Sequence, residues 1–201
     1  MPAGTMIAAV PHGIKRWFFN NMAAWCVLFR RRDRALDFYR KMLALDPNDV
    51  LALASIGYQS AQLGRKREAL AMFDRVLELE PDDAEAHFNR GFLLQERNDH
   101  EGAMAAFQLA LAINPDHDRA LYGIALSLIS TRRPEEALAP LKRNTELQPM
   151  SPYGWYQLAR VQHDLGRSDE TQKVLDHLAK FEPNVARQLE RETGLKAKPL
   201  S

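Results

Sequence analysis

The chain has 201 residues, 46% hydrophobic and 26% charged, which is the balance of a folded domain and not of a disordered one. Its 27 basic and 26 acidic side chains nearly cancel, so a partner held by bulk charge, such as non-specific nucleic acid, is not expected. One cysteine, Cys26, excludes an intrachain disulfide and a multi-cysteine zinc site, and no apolar run is long enough to cross a bilayer.

Residues 1–15 read as an N-terminal extension. The stretch Met1 to Pro11 lacks the basic start and long apolar run of a secretory signal, so a cytoplasmic protein is expected. A 34-residue period then takes over and divides the chain into units at 16–49, 50–83, 84–117, 118–151 and 152–185. Each unit holds two apolar runs at helical spacing. Each closes on a proline: Pro47, Pro81, Pro115, Pro149 and Pro183. Proline ends a helix because it donates no backbone hydrogen bond and restricts the residue before it. Small residues recur at Ala23, Gly57, Gly91, Ala125 and Ala159, and again at Ala35, Ala69, Ala103, Ala137 and Thr171. A bulky residue follows four places after the second set, at Tyr39, Phe73, Phe107, Leu141 and Leu175. Small residues let two helices approach, and the bulky one fills the space beside them.

Gly64, Asn98 and Gly166 lie between the two runs, where a left-handed residue suits a helix end. Asn48-Asp49 and Asp82-Asp83 are placed to cap the following helices, and Ser151-Pro152 is expected to act likewise. Four residues depart from the columns. His87, Arg90 and Asn144 take places that are mostly apolar in the other units, and Pro140 falls inside a helix, where a kink is expected. Residues 186–201 hold the rest of a polar capping helix stopped by Gly194, then a loose tail from Leu195.

These columns resemble those of the tetratricopeptide repeat (TPR) family, whose units are 34-residue helix-turn-helix hairpins. The resemblance implies an all-α, right-handed superhelical solenoid of five units with a C-terminal capping helix. It also implies a protein-binding scaffold or adaptor without catalysis or cofactor.

The residues themselves offer little chemistry. His12, His87, His100, His117, His163 and His177 form no paired ligand spacing on one helix face, so no metal site is expected. Cys26 has no activating neighbour and reads as a buried structural thiol. No glycine-rich phosphate loop is present, and acidic pairs such as Glu135-Glu136 sit at helix starts, where they favour the helix dipole.

The family layout places the first helices of successive units on a concave face. It maps Tyr58, Phe88, Asn89, Phe92, Tyr122, Tyr153, Tyr156, Gln157 and Arg160 along that face, with Arg119 at its border and Trp17, Asn20, Asn21, Ala24 and Leu126 beside them. Tyrosine and asparagine suit peptide recognition, through large contact area and amide hydrogen bonds. Family members that bind chaperone tails carry a clamp of Lys, Asn and Arg. Asn89 and Arg119 match two of its places, but Ala54, Tyr58 and Gly123 occupy others, so a chaperone-tail adaptor is not expected.

The first unit differs from the rest. Residues 1–49 carry eight basic and four acidic side chains, whereas 50–185 carry 15 and 20. Trp17-Phe18-Phe19 and Trp25 to Phe29 lie between Lys15-Arg16 and Arg30-Arg31-Arg32. Residues 16–32 could lie on an anionic membrane, giving a membrane-peripheral assembly factor. They could equally be an end repeat with apolar surface for a second copy, making a homo-oligomer, or for another protein. The repeat register through Ala23, Ala35 and Tyr39 favours a packed helix.

Overall fold

The computed structural model describes residues 10–198, so readings made for residues 1–9 and 199–201 lie outside the described residues. Eleven α-helices and no strand occur among the described residues. They are α1 His12–Leu28, α2 Arg32–Leu45, α3 Val50–Gln62, α4 Lys66–Leu79, α5 Ala84–Gln95 and α6 His100–Ile113. Then follow α7 Asp118–Ser130, α8 Pro134–Leu147, α9 Pro152–Asp164, α10 Ser168–Phe181 and α11 Pro183–Thr193. Odd and even helices up to α10 are the first and second halves of the 34-residue units. Helix α11 stands alone after them.

The turn inside each unit repeats to the residue. Arg30, Gly64, Asn98, Arg132 and Gly166, each 34 apart, all have left-handed backbones with φ between 57° and 74°. The amide one place later donates to the carbonyl five residues back: Arg31 to Cys26, Arg65 to Ser60, Asp99 to Leu94, Arg133 to Leu128 and Arg167 to Gln162. This bond satisfies carbonyls that a helix end would otherwise leave orphaned. The turn between units is capped as the sequence predicts at Asp49, which accepts from the Ala52 amide, and at Asp83, which accepts from Ala86. In the same column His117 Nδ1 accepts from Ala120. Ser151 is a correction: its side chain makes no capping bond, and Pro152 at the helix start takes over the role by fixing φ.

The chain divides into two compact units, 1–93 and 94–201. In the first, α2 packs on α1 and α3, and α4 packs on α3. Ala23, Ala35, Leu36, Tyr39, Met42, Ala52 and Ile56 form one buried cluster, against which Phe19, Cys26 and Val27 pack. Cys26 is only partly buried there, less enclosed than its apolar surroundings in the sequence predict. The Phe73 ring lies 3.0 Å from where a Cβ on Gly57 would stand, so the small-residue column permits this helix approach. An ion pair and charge-assisted hydrogen bonds tie the second hairpin to the first. Arg65 meets Asp33 at 2.6 Å, and Arg75 donates to the Pro47 carbonyl and to Asn48 at 3.2 Å.

In the second unit each helix from α6 to α11 packs on the next, and α11 also reaches α9. The ties recur in register, with Arg133 3.5 Å from Glu101 and Arg143 2.6 Å from Asp116. Helix α8 continues through Pro140. Asn144 earns its place in an apolar column by donating from Nδ2 to the Asp118 carbonyl at 2.9 Å while its oxygen abuts Gly154. The tail is not loose over its described part. Lys198 and Ala197 amides donate to Asp176 and Glu190, and Gln172 donates to the Lys196 carbonyl.

Candidate functional site

Odd-numbered helices carry the predicted site residues. Within residues 10–93, Tyr58 on α3 and Phe92 on α5 stand in solvent, 51% and 44% exposed. Phe88 does not. It is 9% exposed and packs its ring 6.5 Å from that of Phe92, so it supports the exposed ring from beneath. Asn89 is half-buried beside them. His87 and Arg90, polar in apolar columns, are occupied with structure: His87 Nε2 lies 2.9 Å from the Pro81 carbonyl and Arg90 donates to Asp74 at 2.8 Å. Farther back, Trp17 is exposed, and Asn21 turns its amide onto the Trp17 carbonyl.

Within residues 94–198, Tyr153 on α9 is 71% exposed. Tyr122 on α7 is half-buried and hydrogen-bonds with Gln157. Burial pushes its hydroxyl pKa up, and the Gln157 bond offsets part of this. Arg119 is exposed at the start of α7. Tyr156 and Arg160 are engaged from within. The Tyr156 hydroxyl lies 2.7 and 2.8 Å from the two Glu192 oxygens and accepts from Gln188 at 2.9 Å. Arg160 stacks 5.7 Å from the Tyr156 ring and sits 3.7 Å from Glu192. Burial, and then the Glu192 carboxylate, raise the Tyr156 pKa. Helix α11 therefore covers part of the surface that the sequence reading left open. The spacing of Gln188 and Glu192, one helical turn apart, was the available signal.

No group of three metal-ligating side chains occurs among the described residues, and none of their helices is long and apolar enough to cross a membrane. Aromatic rings and amides on rigid helices can supply contact area and hydrogen bonds to another chain.

Helical hairpins of one length, stacked through small-residue columns and presenting side chains from their first helices, define a repeat protein of the helix-turn-helix class. Two family profiles match: the tetratricopeptide repeat over residues 60–118, and anaphase-promoting complex, cyclosome, subunit 3 over residues 96–178. The chain is a tetratricopeptide-repeat protein. No curated protein matches its sequence. Among solved structures it is similar to MamA, with TM-score 0.76 and 20% identity over 93% of this chain and all of that one. PilF of Pseudomonas aeruginosa gives TM-score 0.77 and 16% identity, over 90% of this chain and 85% of that one. YrrB, described as a TPR protein with an unusual peptide-binding site, gives 0.72 and 21%, over 86% and 90%. At these identities the likeness is one of fold.

Proposed function

We propose that the chain is a non-catalytic scaffold or adaptor that holds a peptide or helical segment of a partner protein against its first helices. The observation that carries this reading is the run of exposed aromatics on odd-numbered helices, Tyr58 and Phe92 in one compact unit and Tyr153 in the other. Each sits on a helix whose opposite face is buried, so the rings are displayed on a rigid support, which lowers the entropic cost of binding. Asn89, Tyr122, Gln157 and Arg119 would supply hydrogen bonds, and Phe88 would hold Phe92 in position. Tyr156 and Arg160 would join only where a partner displaces Glu192.

The test is capture of a partner by pull-down, followed by calorimetry with the purified pair. Phe92→Ala and Tyr58→Ala should each weaken binding at least about tenfold, the equivalent of about 1.4 kcal/mol at a hot spot. Lys142→Glu, on an even-numbered helix, should leave it intact. The reverse pattern would place the partner on the second helices and overturn the reading.

A further inference from the structure

The 34-residue register exposes a contradiction at the start of the array. In the four later units, the third place of the first helix holds Ala52, Ala86, Ala120 and Gly154, all buried. The first unit has Phe18 there, 48% exposed. Seven places on, the later units have Gln59, Leu93, Ser127 and Val161, again all buried, whereas Trp25 is 56% exposed. Ile14, Leu28 and Phe29 extend the same outward face of α1, and the Trp25 and Phe29 rings stack at 6.0 Å. The opposite face of α1, through Ala23, Phe19 and Cys26, is already in the core. The helix is thus apolar on both sides.

The size of these side chains narrows what could cover them. Small residues in these columns admit a close-packed helix. Phe18 and Trp25 leave no such room, so the face is ill-suited to another hairpin stacked in the same register. A soft, deformable occupant suits it better. Trp and Phe beside cations are the composition of surfaces that sit at the headgroup level of a bilayer.

Charge selects the kind of surface. Arg30, Arg31 and Arg34 make no ion pair among the described residues. With Arg32, and with Asp33, whose carboxylate pairs with Arg65, they line one open hollow of about 360 Å³. Arg31 and Arg34, with Lys41 and Asp37, which faces Arg40, also line a trough of about 620 Å³ whose apolar part is Met22, Trp25, Cys26 and Phe29. A hollow with four arginines beside a largely apolar trough, the two sharing Arg31 and Arg34, is complementary to an anionic amphiphile. We infer that the outward face of α1 and the arginine turn after it form a membrane-surface site for anionic lipid. Phe18, Trp25 and Phe29 enter the acyl boundary, and Arg30, Arg31 and Arg34 meet lipid phosphates. This site is separate from the residues assigned to peptide binding, so either can fail alone.

The experiment is flotation of the full chain with phosphatidylcholine vesicles, with and without phosphatidylglycerol. The chain should float with the anionic vesicles, bind them at least about tenfold more tightly than neutral ones, and weaken as salt screens the arginines. Its tryptophan emission should shift to the blue on binding. Two sets of replacements test the site: Phe18→Ala with Trp25→Gln, which copies Ala52 and Gln59 of the second unit, and Arg30→Gly, which copies Gly64, with Arg31→Gln and Arg34→Gln to remove the remaining charges. Each set should reduce vesicle binding at least about tenfold without lowering the melting temperature. A full chain that ignores anionic vesicles overturns the site. So does a dimer, seen by ultracentrifugation, that Phe18→Ala with Trp25→Gln dissociates while vesicle binding is absent. That outcome would give the face to a second copy.

Discussion

The Phe107 ring lies 2.6 Å from where a Cβ on Gly123 would stand, and Phe107 is fully buried. Gly123→Ala must therefore displace a ring with nowhere to go. We expect a loss of about 1–3 kcal/mol, read as a lower urea midpoint with unchanged slope. Gly13→Ala is the control, since nothing lies within 4 Å of a Cβ there, and it should be neutral or slightly stabilising.

Arg132 holds the left-handed place that Gly64 and Gly166 fill in other units. A residue with a Cβ is penalised in that conformation by roughly 1–2 kcal/mol. Arg132→Gly should raise the melting temperature and Gly64→Ala should lower it, a pair of opposite signs from one register position. The reverse pair of signs, with Arg132→Gly lowering the melting temperature and Gly64→Ala raising it, would show that the turn tolerates a side chain freely.

Asp49 is buried, which alone would raise its pKa, yet the Arg16 side chain and the Ala52 amide hold it below the ordinary carboxylate value. A carboxyl depressed on folding contributes stability that is fully present above its unfolded pKa, about 3.9, and is lost as pH falls through the lower folded value. Asp49→Asn retains a capping oxygen but not the charge. Its urea midpoint should fall below that of the parent chain at neutral pH, and the two should converge under acid conditions.

Phe88 and Phe92 separate packing from recognition. Phe88→Ala removes a buried ring and should cost about 3–5 kcal/mol of stability. Phe92→Ala should change the melting temperature little while weakening partner capture. Calorimetry on both variants checks this. An equal loss of stability would make Phe92 a packing residue.

The pair also shows how far a sequence can be read. Residues four apart on a helix lie on nearly the same side, so periodicity places Phe88 and Phe92 together and cannot tell the buried ring from the exposed one. Which ring a neighbouring helix covers depends on tertiary contact. The same limit applies to Tyr156, whose cover comes from Glu192, 36 residues away. By contrast, the prolines, the small-residue columns and the aspartate caps act locally or recur by register, and the hairpins were legible from them. Arg30 and Arg132 were legible in register but hidden by residue type, since arginine rarely adopts a positive φ.

The arginine ties between hairpins are not evenly spread. Arg65 and Arg75 join the second hairpin to the first, and Arg133 and Arg143 hold the fourth to the linker and helix before it. In the fifth unit the second of these places carries His177, whose ring packs 4.3 Å from that of Trp155, and the acceptor place opposite it carries Met150. Stability in a linear repeat array is set by nearest-neighbour terms, so such an interruption is a natural seam. Amide hydrogen exchange should then separate the chain into blocks of unequal protection instead of one cooperative whole. Exposed ion pairs fade in salt, so raising ionic strength should narrow the difference between blocks.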